Sequence, residues 1–121
     1  MTQIDRLIRA IREMNNPSVM GLDTKVDYLP EAFAKRHIAE SGRAGAILAY
    51  NKALMEGLRD VIPAVKIQSA YYELLGSEGI RCMEQTIEIA HKLDYVVMVD
   101  AKRGDIGATA TAYSAAYLAP D

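Results

Sequence analysis

The apolar residues of this chain alternate between two spacings, one typical of short buried strands and one typical of amphipathic helices. Apolar runs rich in β-branched residues predict three strands, at residues 18–22, 63–67 and 95–99. Apolar residues three and four positions apart predict helices before, between and after these strands. The predicted order is one helix followed by three β-α units, which is typical of a parallel sheet with right-handed crossovers.

Capping residues predict where the helices begin and end. Thr2, with Asp5 in the opening turn, is expected to cap the first helix, which should end at Asn15-Asn16-Pro17. A short helix is expected to carry Pro30 in its first turn.

Two longer helices are expected after Gly42 and after Gly76, and a last helix from near Gly107 to Pro120. The apolar stripes of the two longer helices are predicted to contain Ile47, Leu48, Asn51, Leu54, Met55 and Leu58 in one, and Ile80, Met83, Ile87 and Ala90 in the other.

A sheet of three parallel strands would leave backbone groups unpaired along both edges. The sequence stops at Asp121, directly after a predicted helix, whereas a (β/α)₈ barrel needs roughly 250 residues. We therefore predict an α/β fold in which residues 1–121 form a single partial domain, the N-terminal part of a TIM barrel, with about half of the barrel absent.

Composition and charge exclude several classes of function. The formal net charge of −2 provides no basic field for nucleic acid, and no apolar run reaches the roughly 18 residues of a membrane span. Acidic residues near the N-terminus argue against a signal or transit peptide. The single cysteine, Cys82, cannot form an internal disulfide, so we expect a reducing, cytoplasmic location.

Charged residues occur at or near the end of each predicted strand. Asp23 follows the first strand, Lys66 lies within the second, and Asp100 follows the third, with Lys102 and Asp105 close behind. Because the carboxyl ends of parallel strands meet on one face, we expect these side chains to surround one site. Alternating charges hold a desolvated lysine protonated, and such a lysine can stabilise a developing carbanion and then protonate it.

Three motifs in these positions carry a resemblance to a known family. Residues 99–107 (VDAKRGDIG) contain the Asp-x-Lys-x-x-Asp signature of the orotidine 5′-monophosphate decarboxylase superfamily. They look like the longer bacterial type of the orotidine 5′-phosphate decarboxylase family. Gly21-Leu22-Asp23 resembles the first-strand aspartate motif of that family, and Val65-Lys66-Ile67 its second-strand lysine motif. The resemblance implies conversion of orotidine 5′-phosphate to uridine 5′-phosphate and carbon dioxide, without a metal or an organic cofactor.

The resemblance also implies roles for individual residues in catalysis. Lys102 resembles the proton donor to C6 of the pyrimidine, and Asp100 the carboxylate held near the carboxylate of the substrate. Lys66 resembles the lysine that bridges the ribose and Asp100, and Asp23 an acceptor on the ribose or base side.

Other implied roles concern the assembly and the phosphate of the substrate. Asp105 resembles a residue that crosses a homodimer interface to the ribose in the neighbouring site, with Ile106 and Thr109 as its companions. The phosphate-binding arginine of the family would lie beyond these residues, so the chain by itself is expected to be inactive.

Two alternatives remain open at this point. Sister families with the same signature, the 3-keto-gulonate-6-phosphate decarboxylases and hexulose-6-phosphate synthases, use magnesium held partly by a second-strand glutamate. Lys66 stands at that position here, and its charge would repel magnesium. The second alternative is a non-catalytic half-barrel module that acts through its exposed sheet edge, although a scaffold has no use for alternating lysines and aspartates.

Overall fold

The computed structural model describes residues 1–119 and contains five α-helices, three strands and one 3₁₀ turn in that range. The helices are α1 (Gln3–Met14), α2 (Glu31–Leu58), α3 (Ser69–Glu73), α4 (Gly76–Lys92) and α5 (Gly107–Leu118). The strands are β1 (Val19–Gly21), β2 (Ala64–Gln68) and β3 (Val96–Asp100), and the 3₁₀ turn is Val26–Tyr28. Within residues 1–119, no helix combines the length and the apolar character that a membrane span requires.

The three strands form one parallel sheet in the order β1-β2-β3, which confirms the predicted α/β architecture. In the register of the sheet, Gly21 lies beside Lys66, and Gln68 lies beside Asp100. β2 and β3 each begin and end one residue later than predicted, so Asp100 is the last residue of its strand. The carboxyl ends of all three strands therefore lie at the same edge of the sheet.

Helix α1 begins and ends as its capping residues predict. The Thr2 hydroxyl accepts a hydrogen bond from the Asp5 amide at 3.1 Å, and the Thr2 amide donates to Asp5 Oδ2 at 2.9 Å. Asn15 ends the helix in the left-handed conformation, with φ of 47°. The helix has no fully buried residue, although several of its apolar residues are half-buried, so its capping box adds to limited packing.

Helix α2 combines the predicted short helix and the longer helix that follows it. The two segments join at Gly42, whose φ of 76° and ψ of −178° interrupt the helical conformation. A side chain at that φ would be strained, so glycine permits the kink. In the second segment Ile47, Asn51 and Met55 are fully buried, and the rest of the predicted stripe is half-buried.

Helix α4 packs closely on α3 through Gly79. A Cβ atom at this position would lie 1.8 Å from the Tyr72 carbonyl oxygen, so only glycine allows the approach. The buried face of α4 comprises Gly79, Cys82, Met83, Thr86 and Ala90. The prediction for Ile80 is wrong: its side chain is exposed, because it is one position away from the residues that face α3.

Helix α5 spans the predicted region but buries none of its residues. Tyr113 and Tyr117 are four residues apart, a helical spacing that predicts packing residues, but both are exposed in the described chain. The predicted stop at Pro120 lies outside the described residues, as does Asp121.

The hydrophobic core lies between the sheet and helices α2, α3 and α4. It contains Val65 and Ile67 of β2, Leu22 directly after β1 and Tyr95 directly before β3. The Tyr95 hydroxyl donates to the Met55 carbonyl at 2.6 Å, which connects this region to α2. This core lies beneath the carboxyl ends of β1 and β2.

Candidate active site

Lys66 lies between two aspartates at the carboxyl edge of the sheet. Its Nζ is 3.2 Å from Asp23 Oδ1 and 3.3 Å from Asp23 Oδ2, and only the Oδ2 contact is aligned as a hydrogen bond. The same Nζ is 3.9 Å from Asp100 Oδ2. The structure thus brings together one predicted residue from each strand exit.

Gln68 joins this cluster, although it was absent from the predicted site. Its amide nitrogen donates to Asp100 Oδ2 at 2.9 Å. Lys66 and Gln68 are two residues apart on β2, so their side chains project to the same side of the strand. The alternation of β2 could have indicated Gln68, but its pairing with Asp100 follows from the register between strands.

One carboxylate oxygen in the cluster has no hydrogen-bond donor among the described residues. Asp23 Oδ1 is shielded from solvent, and its only polar neighbour in the cluster is the misaligned Lys66 ammonium. The Lys66 ammonium 3.2 Å away offsets part of the cost of an acceptor without a donor, but not all of it. A substrate hydroxyl or amide that donates to this oxygen would remove that cost.

A buried polar network lies directly beneath the Asp23 turn. It consists of Thr24, Asn51, Tyr72 and Thr86, all of which are buried. Asn51 accepts from the Thr24 hydroxyl at 2.6 Å and donates to the Tyr72 oxygen at 2.8 Å and to Thr86 Oγ1 at 3.2 Å.

This network fixes the two residues on either side of Asp23 in the chain. The Tyr72 hydroxyl donates to the Leu22 carbonyl at 2.9 Å, and Thr24 is held by Asn51 on the other side. Burial raises the pKa of Tyr72 to about 12, so its hydroxyl keeps its proton and remains a donor at neutral pH. The signal in the sequence was a polar residue, Asn51, within an apolar stripe.

The motif loop, residues 101–106, and the start of α5 carry the remaining predicted site residues. Lys102 is exposed and forms no ion pair within residues 1–119, so it does not join the Lys66 cluster. Asp105 Oδ1 accepts from the Ile106 amide at 2.8 Å, and the Thr109 hydroxyl donates to the Ile106 carbonyl at 2.7 Å. Both contacts are local, and Ile106 itself is 85% exposed.

The expected single cluster of five charged residues is therefore only partly formed. Asp23, Lys66 and Asp100 meet, whereas Lys102 and Asp105 lie outside that cluster in the described chain. The physical reason is the path of the backbone: β3 ends at Asp100, and the Arg103 amide then donates to the Ala101 carbonyl at 3.0 Å, a turn that takes Lys102 out of line with Asp100.

The motif loop contacts the rest of the molecule through Arg103. Its guanidinium forms a hydrogen-bonded ion pair with Glu73, the last residue of α3. The buried Ser69 hydroxyl donates to the other oxygen of Glu73 at 2.7 Å. Sequence inspection did not indicate this pair, because its members are thirty residues apart.

The architecture and this edge define a class: an α/β protein that forms part of a (β/α)₈ barrel, with a charged candidate active site at the carboxyl ends of its strands. A scan against family models finds no match. Individual proteins do match, and they bear the name of the family that the motifs resemble.

The chain is a homologue of proteins named orotidine 5′-phosphate decarboxylase, which confirms the resemblance. It is 37% identical over 118 residues to that protein from Clostridium tetani (strain Massachusetts / E88), covering 98% of this chain and 40% of the relative. It is 36% identical over 117 residues to that of Clostridium perfringens (strain SM101 / Type A), covering 97% of this chain and 39% of the relative. The chain thus spans about two-fifths of the length of the curated relatives it matches.

Solved structures agree with the sequence relatives. An OMP decarboxylase from Leishmania donovani superposes with a TM-score of 0.71 at 27% identity, over 96% of this chain and 39% of that structure. A Toxoplasma gondii protein described as an orotidine-monophosphate decarboxylase gives a TM-score of 0.76 at 26% identity, over 93% of this chain and 36% of that structure. These matches confirm that the chain forms a partial barrel.

Proposed function

We propose that the protein carrying this chain converts orotidine 5′-phosphate to uridine 5′-phosphate and carbon dioxide, the last step of de novo UMP synthesis. The observation that carries the proposal is the position of Lys66 between Asp23 and Asp100 at the edge of the sheet. The names of the relatives from two Clostridium species support it. The proposal concerns the complete protein, because the chain spans only part of these relatives.

The proposed chemistry begins with the placement of the substrate carboxylate near Asp100. Loss of carbon dioxide leaves an electron pair on C6 of the pyrimidine, and the Lys102 ammonium donates the proton that forms the C6–H bond. Lys66 stabilises the site by its charge and bridges the ribose and Asp100. Asp23, with an acceptor oxygen that lacks a hydrogen-bond donor, is suited to receive a hydrogen bond from the ribose or the base.

We propose that the reaction needs no metal and no organic cofactor. Lys66 already provides a positive charge within 4 Å of both carboxylates, at 3.2 Å and 3.9 Å. A divalent cation at the same carboxylates would be repelled by this ammonium. The arrangement therefore favours a metal-free decarboxylase over the magnesium-dependent sister families.

We further propose a cytoplasmic homodimer in which Asp105 reaches the ribose in the neighbouring site, with Ile106 and Thr109 beside it. The exposure of Ile106 supports a contact beyond this chain. We also propose that residues 1–121 form the N-terminal part of the barrel.

The assay that tests the activity follows the loss of orotidylate absorbance with the protein at its full native length. We expect turnover that is unchanged when a chelator is present. Loss of activity with chelator and its return with magnesium would favour a sister family. No turnover under any condition, with the protein folded, would favour the non-catalytic half-barrel module.

The cross-subunit role of Asp105 has a separate test. Proteins with Lys102→Ala and Asp105→Ala are each expected to be nearly inactive. After mixing and reassembly, some dimers should contain one intact site, and part of the activity should return. If mixing never restores activity while dimers do exchange, Asp105 does not act across the interface.

A further inference from the structure

The motif loop (residues 101–106) is joined to α5, a helix that gains little from packing in the described chain. α5 buries no residue, and both Lys102 and Ile106 are exposed. Within residues 1–119, side-chain packing therefore does little to determine where the loop lies. Its position in this part of the protein depends mainly on polar contacts.

Within residues 101–119, the side-chain hydrogen bonds and ion pairs that reach another element are confined to Arg103 and Glu73. Glu73 ends α3, the helix that directly follows β2 and its Lys66. Ser69, which is 1% exposed, donates to Glu73 and so restricts its carboxylate. The loop is therefore held by a carboxylate that is itself held by the core.

Electrostatics favours the charged form of both partners. The hydrogen bond from Ser69, followed by that from Arg103, lowers the pKa of Glu73. The hydrogen bond to Glu73 raises the pKa of Arg103. Arg103 is thus electrostatically linked to α3.

We infer that Arg103 is a positioning residue: its ion pair with Glu73 fixes the motif loop on α3 and thereby sets the location of Lys102. The catalytic part of this inference rests on the proposed function, whereas the positioning of the loop does not. Arg103 occupies the unspecified position directly after the lysine of the Asp-x-Lys-x-x-Asp signature. Its guanidinium makes a charge-assisted hydrogen bond to one oxygen of Glu73, while Ser69 donates to the other.

Trypsin cleavage tests the loop without reference to catalysis. Glu73→Gln removes the ion pair but leaves both cleavage sites in the loop, Lys102 and Arg103, unchanged. In the protein at full native length, we expect cleavage after these residues, identified by fragment mass, to accelerate about fivefold. Ser69→Ala should change cleavage in the same direction by a smaller factor.

Glu84→Gln is the matched control, because Glu84 is exposed on α4 and forms no ion pair within residues 1–119. We expect its cleavage pattern to equal that of the parent protein. Equal cleavage rates in Glu73→Gln and the parent protein would overturn the inference, whatever the enzymatic activity.

Steady-state kinetics tests the catalytic part. Because misplacing a proton donor affects the chemical step, Glu73→Gln should lower kcat about tenfold and change KM less than about twofold. A KM effect without a kcat effect would show that the pair does not position Lys102. If cleavage accelerates but the parent protein shows no decarboxylation, the loop-positioning role stands and the proposed function fails.

Discussion

The β1–β2 edge and the motif loop with α5 both carry predicted site residues, but they are held in opposite ways. At the β1–β2 edge, Asp23 and Lys66 lie above a core and a buried polar network. Beyond β3, residues 101–118 contain no buried residue and reach other elements through one side-chain ion pair. The difference shows that residues predicted to belong to one site need not share the same structural support.

The two regions differ because they contain different local sequences. The Asn51 amide and the Tyr72 hydroxyl each make more than one hydrogen bond in the apolar interior, where satisfied bonds favour one arrangement. Helix α5 is rich in alanine, and its larger apolar side chains, Tyr113, Tyr117 and Leu118, are exposed in the described chain. The larger relatives, of which this chain spans about two-fifths, contain further chain that could cover such a helix.

The largest expected effect separates activity from stability. Lys102→Ala in the full-length protein should lower kcat by about 10²–10⁴, because it removes the proposed proton donor. In the 121-residue chain the same substitution should change the free energy of unfolding by less than about 0.5 kcal/mol, because Lys102 is exposed there. Absorbance assays and urea unfolding measure the two quantities. Binding of uridine 5′-phosphate, measured by calorimetry, should persist.

A matched lysine makes this test specific. Lys92→Ala alters an exposed lysine in the last turn of α4 and should leave both kcat and stability nearly unchanged. Retained turnover in Lys102→Ala would remove Lys102 from the proposed chemistry.

The buried polar network should show the reverse behaviour. Asn51→Leu is expected to lower the free energy of unfolding of the 121-residue chain by about 2–3 kcal/mol, because the Thr24 hydroxyl and the Tyr72 oxygen lose their partner. Lys52→Leu, at the adjacent exposed position, should change it by less than about 0.5 kcal/mol. Urea unfolding compares the two variants, and equal effects would contradict the importance of the network.

Alkaline pH should destabilise the region around this network. Burial raises the pKa of Cys82 from 9.0 to about 11 and that of Tyr72 from 10.0 to about 12. In the unfolded chain both groups lose protons at lower pH, so stability is fully present below about pH 9 and falls as the pH rises to 12. Each group should contribute a loss of about 2 kcal/mol.

Unfolding measured in urea at a series of pH values checks this dependence. Cys82→Ala is expected to flatten the curve between pH 9 and 11 and leave the decline from 10 to 12 caused by Tyr72. An unchanged slope in Cys82→Ala would show that the thiol does not titrate in that range.

The smallest expected effect concerns α5. Ala115→Gly lowers helix propensity by about 1 kcal/mol locally, but it should change the global free energy of unfolding of the 121-residue chain by less than about 0.5 kcal/mol. Ala46→Gly is the matched change in the buried part of α2, where about 1–2 kcal/mol should be lost. Amide hydrogen exchange should show reduced protection in α5 alone for Ala115→Gly. Equal global losses would mean that α5 is as firmly packed as α2.

Elements that depend on local sequence were predictable. The capping residues of α1, the three strands and the break between two helical segments at Gly42 follow from interactions within a few residues, whereas the short helix α3 was not predicted. The positions of Asp23, Lys66 and Asp100 at one edge also followed, because parallel strands align their carboxyl ends. Strand bounds were one residue off, because backbone pairing decides where a strand ends.

Contacts between distant segments were decided only by the tertiary structure. The exposure of Ile80 depends on how α4 turns its face toward α3, and the place of Gln68 depends on the register between β2 and β3. By itself, the sequence determined which residues carry charge and at the end of which strand each of them lies. Packing and strand register decided that Lys66 meets two aspartates while Lys102 stays outside that cluster, because long-range geometry depends on contacts that no local pattern encodes.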